Sequence, residues 1–254
     1  MRPLAGRHAL VTGANRGIGA AIACRLAADG ARVTLLVRRA GSADALLASL
    51  PTGTSVVEAD VTDAEQLAHA CRSAESMAPV DILINNAGSA ESAPFLQSND
   101  SMFERMLAVH LHGPVRATRT LLPGMLARGH GRVVNIASTA GLTGYPYVTA
   151  YVSAKHAVVG FTRALAREVA AKGVTVNAVC PGYTDTDIVA ESVERIVATT
   201  GRTPDAARAA LTASTPLKRL VRPDEVAATV AWLCRDDSAA VTGQAIAVDG
   251  GELA

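Results

Sequence analysis

Leu10-Val11-Thr12-Gly13-Ala14-Asn15-Arg16-Gly17-Ile18-Gly19 joins a β-branched run, residues 8–12, to an Ala-rich stretch from about residue 17 to 28. The first reads as a strand and the second as a helix. The glycines between them permit a tight turn and close backbone approach, and the start of a helix offers N–H groups that no helical carbonyl satisfies. Strand, glycine turn and helix in that order are the parts of a pyrophosphate cradle. The spacing is G-x-x-x-G-x-G rather than the commoner G-x-G-x-x-G. Alone it equally describes an ordinary glycine turn; the flanking strand and helix favour the cradle. On that reading Gly13, Asn15, Gly17, Ile18 and Gly19 contact a dinucleotide, and Arg16 adds a cation beside it.

The same alternation continues outward. Residues 33–37, 55–58, 82–85, 133–136, 174–179 and 245–248 read as further strands. Helical patterns cover about 63–76, 101–126 (interrupted at Gly113-Pro114), 148–170, part of the segment after residue 186, and a stretch starting near Pro223. Strands alternating with helices predict βαβ units, hence an α/β fold: a doubly wound parallel sheet of about seven strands with helices on both faces. No linker or repeat divides the chain, so one domain over residues 1–254 is expected.

Nearly half of the 254 residues are hydrophobic but only 3% are aromatic, so Ala, Val and Leu must build the core. A net charge of +1 makes no case for a nucleic-acid or anionic-membrane partner. Residues 133–154 are uncharged, but their Gly, Pro, Asn, Ser and Thr make a poor membrane helix. Cys24, Cys71, Cys180 and Cys234 are scattered, with no C-x-x-C pair and no His cluster. They read as small buried hydrophobes rather than a metal site, and favour a reducing, cytoplasmic setting. The first residues lack the apolar run of a signal peptide.

The end of the second predicted strand bears on which dinucleotide is bound. An acid there suits a ribose 2′-hydroxyl, whereas Arg suits a 2′-phosphate. The chain has Leu36-Val37-Arg38-Arg39 and no acid, which favours NADP over NAD, the bland alternative being two solvated arginines. Tyr151 and Lys155 lie four residues apart on a predicted helix and so share a face. An ammonium beside a phenol favours the phenolate, so Lys155 is expected to lower the Tyr151 pKa. Ser138, at the end of a strand thirteen residues upstream, can hold a substrate oxygen against that phenol.

With these residues in hand, the chain resembles the single-domain short-chain dehydrogenase/reductase family from end to end, a Rossmann-like fold. Thr12–Gly19 look like its T-G-x-x-x-G-x-G motif, and Asn85-Asn86-Ala87-Gly88 like its N-N-A-G motif, which lines the cofactor. Asp60-Val61 look like its adenine-contacting pair. Pro181-Gly182 with Thr184 and Thr186 resembles the segment that holds the nicotinamide carboxamide. The resemblance implies that Tyr151 is the general acid for ketone reduction, that Ser138 polarises the carbonyl, and that Lys155 binds the nicotinamide ribose. His110 departs from the pattern, replacing the family's Asn in Val109-His110-Leu111-His112-Gly113. It can join a proton relay and add pH sensitivity, or merely keep the local bend.

Residues 186–216 correspond to the family's substrate-covering segment. Their length, with Lys155–Gly160 and Val179–Gly182, is similar to polyketide ketoreductases and 3-hydroxyacyl-CoA dehydrogenases. A 3-oxoacyl thioester, linked to CoA or a carrier, is the expected substrate, with Arg195, Arg202 and Arg208 as candidate contacts to its phosphate or to an acidic carrier. Cyclic ketones, steroids, sugars, or NADP binding without turnover are the alternatives. Helices spanning 102–126 and 148–169 are expected to pair in a homo-oligomer, a dimer or tetramer.

Overall fold

The computed structural model describes residues 2–254. Seven strands, β1 (His8–Thr12), β2 (Arg32–Val37), β3 (Ser55–Glu58), β4 (Ile82–Asn85), β5 (Gly131–Ile136), β6 (Val174–Pro181) and β7 (Ala245–Val248), form one parallel sheet in the order β3-β2-β1-β4-β5-β6-β7. Nine α-helices accompany them among the described residues: α1 (Gly17–Ala28), α2 (Asp44–Ser49), α3 (Ala64–Met77), α4 (Asp100–Leu107), α5 (Gly113–Arg128), α6 (Thr149–Val169), α7 (Asp187–Thr200), α8 (Pro204–Leu211) and α9 (Pro223–Leu233).

Successive side chains along each strand go to opposite layers. Ala9, Val11, Val33, Leu35, Ile82 and Ile84 pack with Ile22 and Leu26 of α1 and Val226 and Val230 of α9. Leu10, Leu36, Leu83 and Val133 pack with Leu67 of α3 and Leu121 of α5. Both faces being covered, β1 is buried along its whole length, its apolar Ala9-Leu10-Val11 centre flanked by the buried polar His8 and Thr12. The helix starts follow local chemistry: the Asp63 carboxylate caps α3, accepting from the N–H groups of Glu65 and Gln66 at 3.0 Å each.

Three local differences from the sequence reading matter. The expected break at Gly113-Pro114 is instead a widened π-type turn, Ala108–His112, between α4 and α5. Proline lacks the N–H that a regular turn would use there, and one extra residue in the turn accommodates it. A short helix, α2, occupies the β2–β3 connection. Finally, Cys71, Cys180 and Cys234 are buried as expected, but Cys24 is exposed on α1. No described helix is long and apolar enough to cross a membrane.

Candidate active site

The strand order runs outward in both directions from the β1–β4 pair, which places a crevice at the C-terminal ends of these strands. A cavity of about 800 Å³ opens there. The residues singled out above as catalytic or cofactor-binding line it, including Val61 and Thr184, except Asn85 of the N-N-A-G motif, which is buried in the sheet beneath.

At one end is the glycine turn. Gly13 has φ +62° and Gly17 φ +55°, the left-handed region that other residues enter at a cost. A Cβ on Gly19 would stand 2.2 Å from the Gly13 carbonyl oxygen and 2.4 Å from Asn86 Nδ2. Asn86 staples the turn to the end of β4: its Nδ2 donates to the carbonyls of Thr12 (2.9 Å) and Gly13 (3.0 Å). The Thr12 hydroxyl in return accepts from the N–H groups of Asn86 (2.9 Å) and Ala87 (3.0 Å). No side chain caps the start of α1, so its first N–H groups face the cavity unoccupied by protein. This is a fit for an anionic pyrophosphate. Arg16 is turned aside, its Nη1 donating to Asp187 Oδ2 at 2.9 Å across the cavity mouth.

Beyond the turn, Arg38 and Arg39 follow β2, and Asp60 follows β3. Burial alone would raise the Asp60 carboxyl. The Thr62 N–H and hydroxyl, both donating to Oδ1, together with nearby Arg38, hold it below its ordinary value. The cavity thus keeps a carboxylate at one wall and two arginines at the next.

The other end holds Ser138, Tyr151 and Lys155, presented by β5 and α6. A buried amide chain fixes these two elements: Asn85 Nδ2 donates to Asn135 Oδ1 and Asn135 Nδ2 to Thr162 Oγ1, each at 2.8 Å. Lys155 is only 5% exposed; its Nζ donates to the Ile136 carbonyl at 2.8 Å and lies 5.5 Å from the centre of the Tyr151 ring. Ser138 Oγ accepts from the Ala140 N–H at 3.1 Å, which leaves the hydroxyl proton free to donate.

The electrostatics reverse one expectation. Burial pushes the Tyr151 phenol up to about 12, with Ser138 drawing it partly back. Lys155 is not among the groups that lower it, because burial brings its own ammonium down to about 7. Desolvation penalises both charged forms, and at this separation it outweighs their mutual attraction. Tyr151 is therefore a protonated phenol at neutral pH.

His110, 3% exposed, sits in the π-type turn with its ring edge-on to Tyr151 at 5.2 Å between centres. Its Nε2 is 2.7 Å from the Ser89 carbonyl. A carbonyl only accepts, so Nε2 carries the hydrogen and Nδ1 is a bare acceptor, buried without a protein partner. Burial first, and the Lys155 charge second, hold its pKa well below the ordinary histidine value, so titration near neutrality is absent.

The sequence reading passed over Tyr145, Tyr147 and Tyr183, which also line the cavity. The usable signal was compositional: all four tyrosines of an aromatic-poor chain fall between residues 145 and 183. Of the arginines considered for substrate, Arg195 lines the cavity and donates to Ser92 Oγ, Arg208 pairs with Asp185, and Arg202 does not line the cavity.

Known proteins fit this arrangement. Residues 7–196 match the family model of the short chain dehydrogenases. Nodulation protein G of Rhizobium is 38% identical over 252 residues, covering 99% of this chain and 98% of that protein. The 3-oxoacyl-[acyl-carrier-protein] reductase MabA of Mycobacterium tuberculosis is 36% identical over 250 residues, covering 98% and 94%. The crystal structure of an actinorhodin polyketide ketoreductase variant with NADPH superimposes with a TM-score of 0.92 at 38% identity, covering 97% of each chain. With the matched family region running from β1 into α7, the chain belongs to the short chain dehydrogenase family.

Proposed function

We propose that the protein is an NADP-dependent ketoreductase that converts a 3-oxoacyl thioester, on CoA or an acyl carrier, to its 3-hydroxyacyl form. The observation that carries the reading is the meeting, in one cavity, of an anion-ready glycine turn with a buried, protonated Tyr151 beside Ser138 and Lys155. The kinship to a 3-oxoacyl carrier-protein reductase and a polyketide ketoreductase supports the thioester.

The pyrophosphate of a dinucleotide would lie on the N–H groups of Gly17, Ile18 and Gly19, with Asn15 beside them. Asp60 and Val61 would border the adenine, and Arg38 and Arg39 would meet a 2′-phosphate. Asn86, Ala87 and Gly88 would line the middle of the cofactor. Pro181, Gly182, Thr184 and Thr186 would hold its far end. When bound, that cofactor supplies the hydride.

The chain's own residues supply position and the proton. Ser138 donates to the substrate carbonyl oxygen and fixes it against Tyr151. A phenol kept protonated by burial suits a general acid, since it can hand its proton to that oxygen as negative charge develops there. Lys155, brought to about 7, exchanges protons freely at neutral pH and can recharge the phenol. His110 stays neutral and acts as a positioning residue, wedged between Ser89 and Tyr151. The segment 186–216 covers the substrate; α7 and α8 pack on one another through Val189, Val193 and Ala207.

The free cysteines support a reducing cytoplasm, and the half-buried Phe161 and Leu165 of α6 support a homo-oligomer built on that helix. The test is NADPH oxidation with acetoacetyl-CoA. Tyr151→Phe should lower kcat by about 10²- to 10⁴-fold while NADPH binding survives. Unchanged turnover in Tyr151→Phe, or no oxidation with any 3-oxoacyl thioester, would show the reading to be wrong.

A further inference from the structure

Aromatic residues make up 3% of the chain, yet all four tyrosines line this one cavity. Tyr151 has a role in proton transfer; the other three do not. The rings of Tyr145 and Tyr183 meet edge-on, 6.5 Å between centres at 73°. Both rings line the same cavity as Ser138 and Tyr151, so the pair shares the space in which the reaction takes place.

The orientation of Tyr145 is imposed from behind. Its hydroxyl donates to Glu252 Oε1 at 2.8 Å. Glu252 does not line the cavity. It follows β7 on a turn pinned by Asp249, whose carboxylate accepts from the N–H groups of Gly251 and Leu253 at 3.0 Å each. Its second oxygen, Oε2, is buried without a partner, and a Cβ on Gly182 would stand 2.9 Å from it. The hydroxyl of Tyr145 is thus tied to a carboxylate outside the cavity lining, while Tyr145 itself lines the cavity. A half-buried carboxylate with one oxygen left unpartnered is a costly way to hold a phenol unless the phenol's direction matters.

We propose that Tyr145 and Tyr183 form a substrate-selecting aromatic wall, that Glu252 is the positioning residue which aims Tyr145, and that the preferred substrate carries a ring on the acyl side of its ketone. The inference rests on the ketoreductase reading and names the substrate class within it. A ring in the substrate would meet Tyr145 as Tyr145 meets Tyr183, a contact in which ring edges and faces attract beyond the area they bury.

The experiment compares two 3-oxoacyl thioesters with the same alkyl ketone, one chain ending in phenyl and the other in propyl, so that intrinsic reactivity cancels. The wild-type enzyme should favour the phenyl substrate in kcat/KM by about two- to tenfold. Tyr145→Leu should remove that preference by raising KM for the phenyl substrate several-fold more than for the propyl one. Glu252→Ala should weaken the preference, and Glu252→Gln, which retains an acceptor for the Tyr145 hydroxyl, should restore it. A phenyl preference of one or below in the wild type overturns the proposal without any variant. So does an equal loss of both substrates in Tyr145→Leu, which would mark a merely structural residue. An unchanged preference in Glu252→Ala overturns the positioning role. If neither thioester is reduced, it is the thioester reading that fails, and the wall is judged by the same ratio for benzylacetone against methyl pentyl ketone.

Discussion

Replacing Gly19 by Ala tests the cradle at its tightest point. The new Cβ would sit 2.2 Å from the Gly13 carbonyl oxygen and 2.4 Å from Asn86 Nδ2. Carbon and carbonyl oxygen tolerate roughly 3.3 Å, so the turn must open by about 1 Å. Neither neighbour yields easily, because Asn86 Nδ2 already bridges the Thr12 and Gly13 carbonyls. Ala favours a helix over Gly by up to about 1 kcal/mol, which opposes the effect. Overpacking costs about 1–3 kcal/mol, so the steric term should win. If the turn closes again only at that cost, NADPH affinity falls by about 5- to 150-fold. Equilibrium titration of NADPH fluorescence measures the affinity, and a thermal melt without nucleotide reports the strain held in the free protein. Affinity within twofold of wild type, with an unshifted melt, would refute the claim that close backbone approach is what position 19 provides.

Two further outcomes follow from the charges. Lys155 titrates at about 7 in the folded chain against 10.5 for an ordinary lysine, so between those values the unfolded chain holds a proton the folded one lacks. Stability therefore rises with pH through that window, by at most about 1.4 kcal/mol per unit, while below it the desolvation penalty is complete and constant. The urea-midpoint difference between wild type and Lys155→Met should move in favour of wild type from about pH 7 to pH 8.5; a constant difference would mean the lysine is not desolvated. Arg38→Asp should shift the ratio of NADPH to NADH affinity by about 10- to 100-fold toward NADH, the worth of a charged hydrogen bond together with the new acid on the ribose. An unaltered ratio would assign Arg38 to the solvated surface.

What could be read from sequence was whatever depends on backbone geometry or fixed spacing. The glycine turn was legible because Gly13, Gly17 and Gly19 each meet a steric demand that other residues fail. Tyr151 and Lys155 were legible because four residues make one helical turn. Their titration was not: spacing gives their separation, but the sign of each shift depends on how deeply the surrounding fold buries them. The pairing of Arg16 with Asp187 joins residues 171 apart, and the Tyr145–Glu252 bond spans 107, so no local pattern announces either. The π-type turn at Ala108–His112 registered only as an interruption, since the proline that disturbs the helix is visible while the way the chain absorbs it is not.

The order β3-β2-β1-β4-β5-β6-β7 also has a kinetic meaning. The central pair β1–β4 aligns Ala9 with Ile82, and β5–β6 aligns Gly131 with Val174, so the middle of the sheet closes only across long stretches of chain. Parallel pairings of such range form slowly, because the entropy of closing each loop is spent before its contacts form. The cradle leaves β1 near the start of the chain, while the proton-handling residues follow β5 and stand on α6. Catalytic competence is therefore among the last properties the refolding chain acquires, and partly assembled sheets, with exposed edges ready to pair, are the species most prone to aggregate.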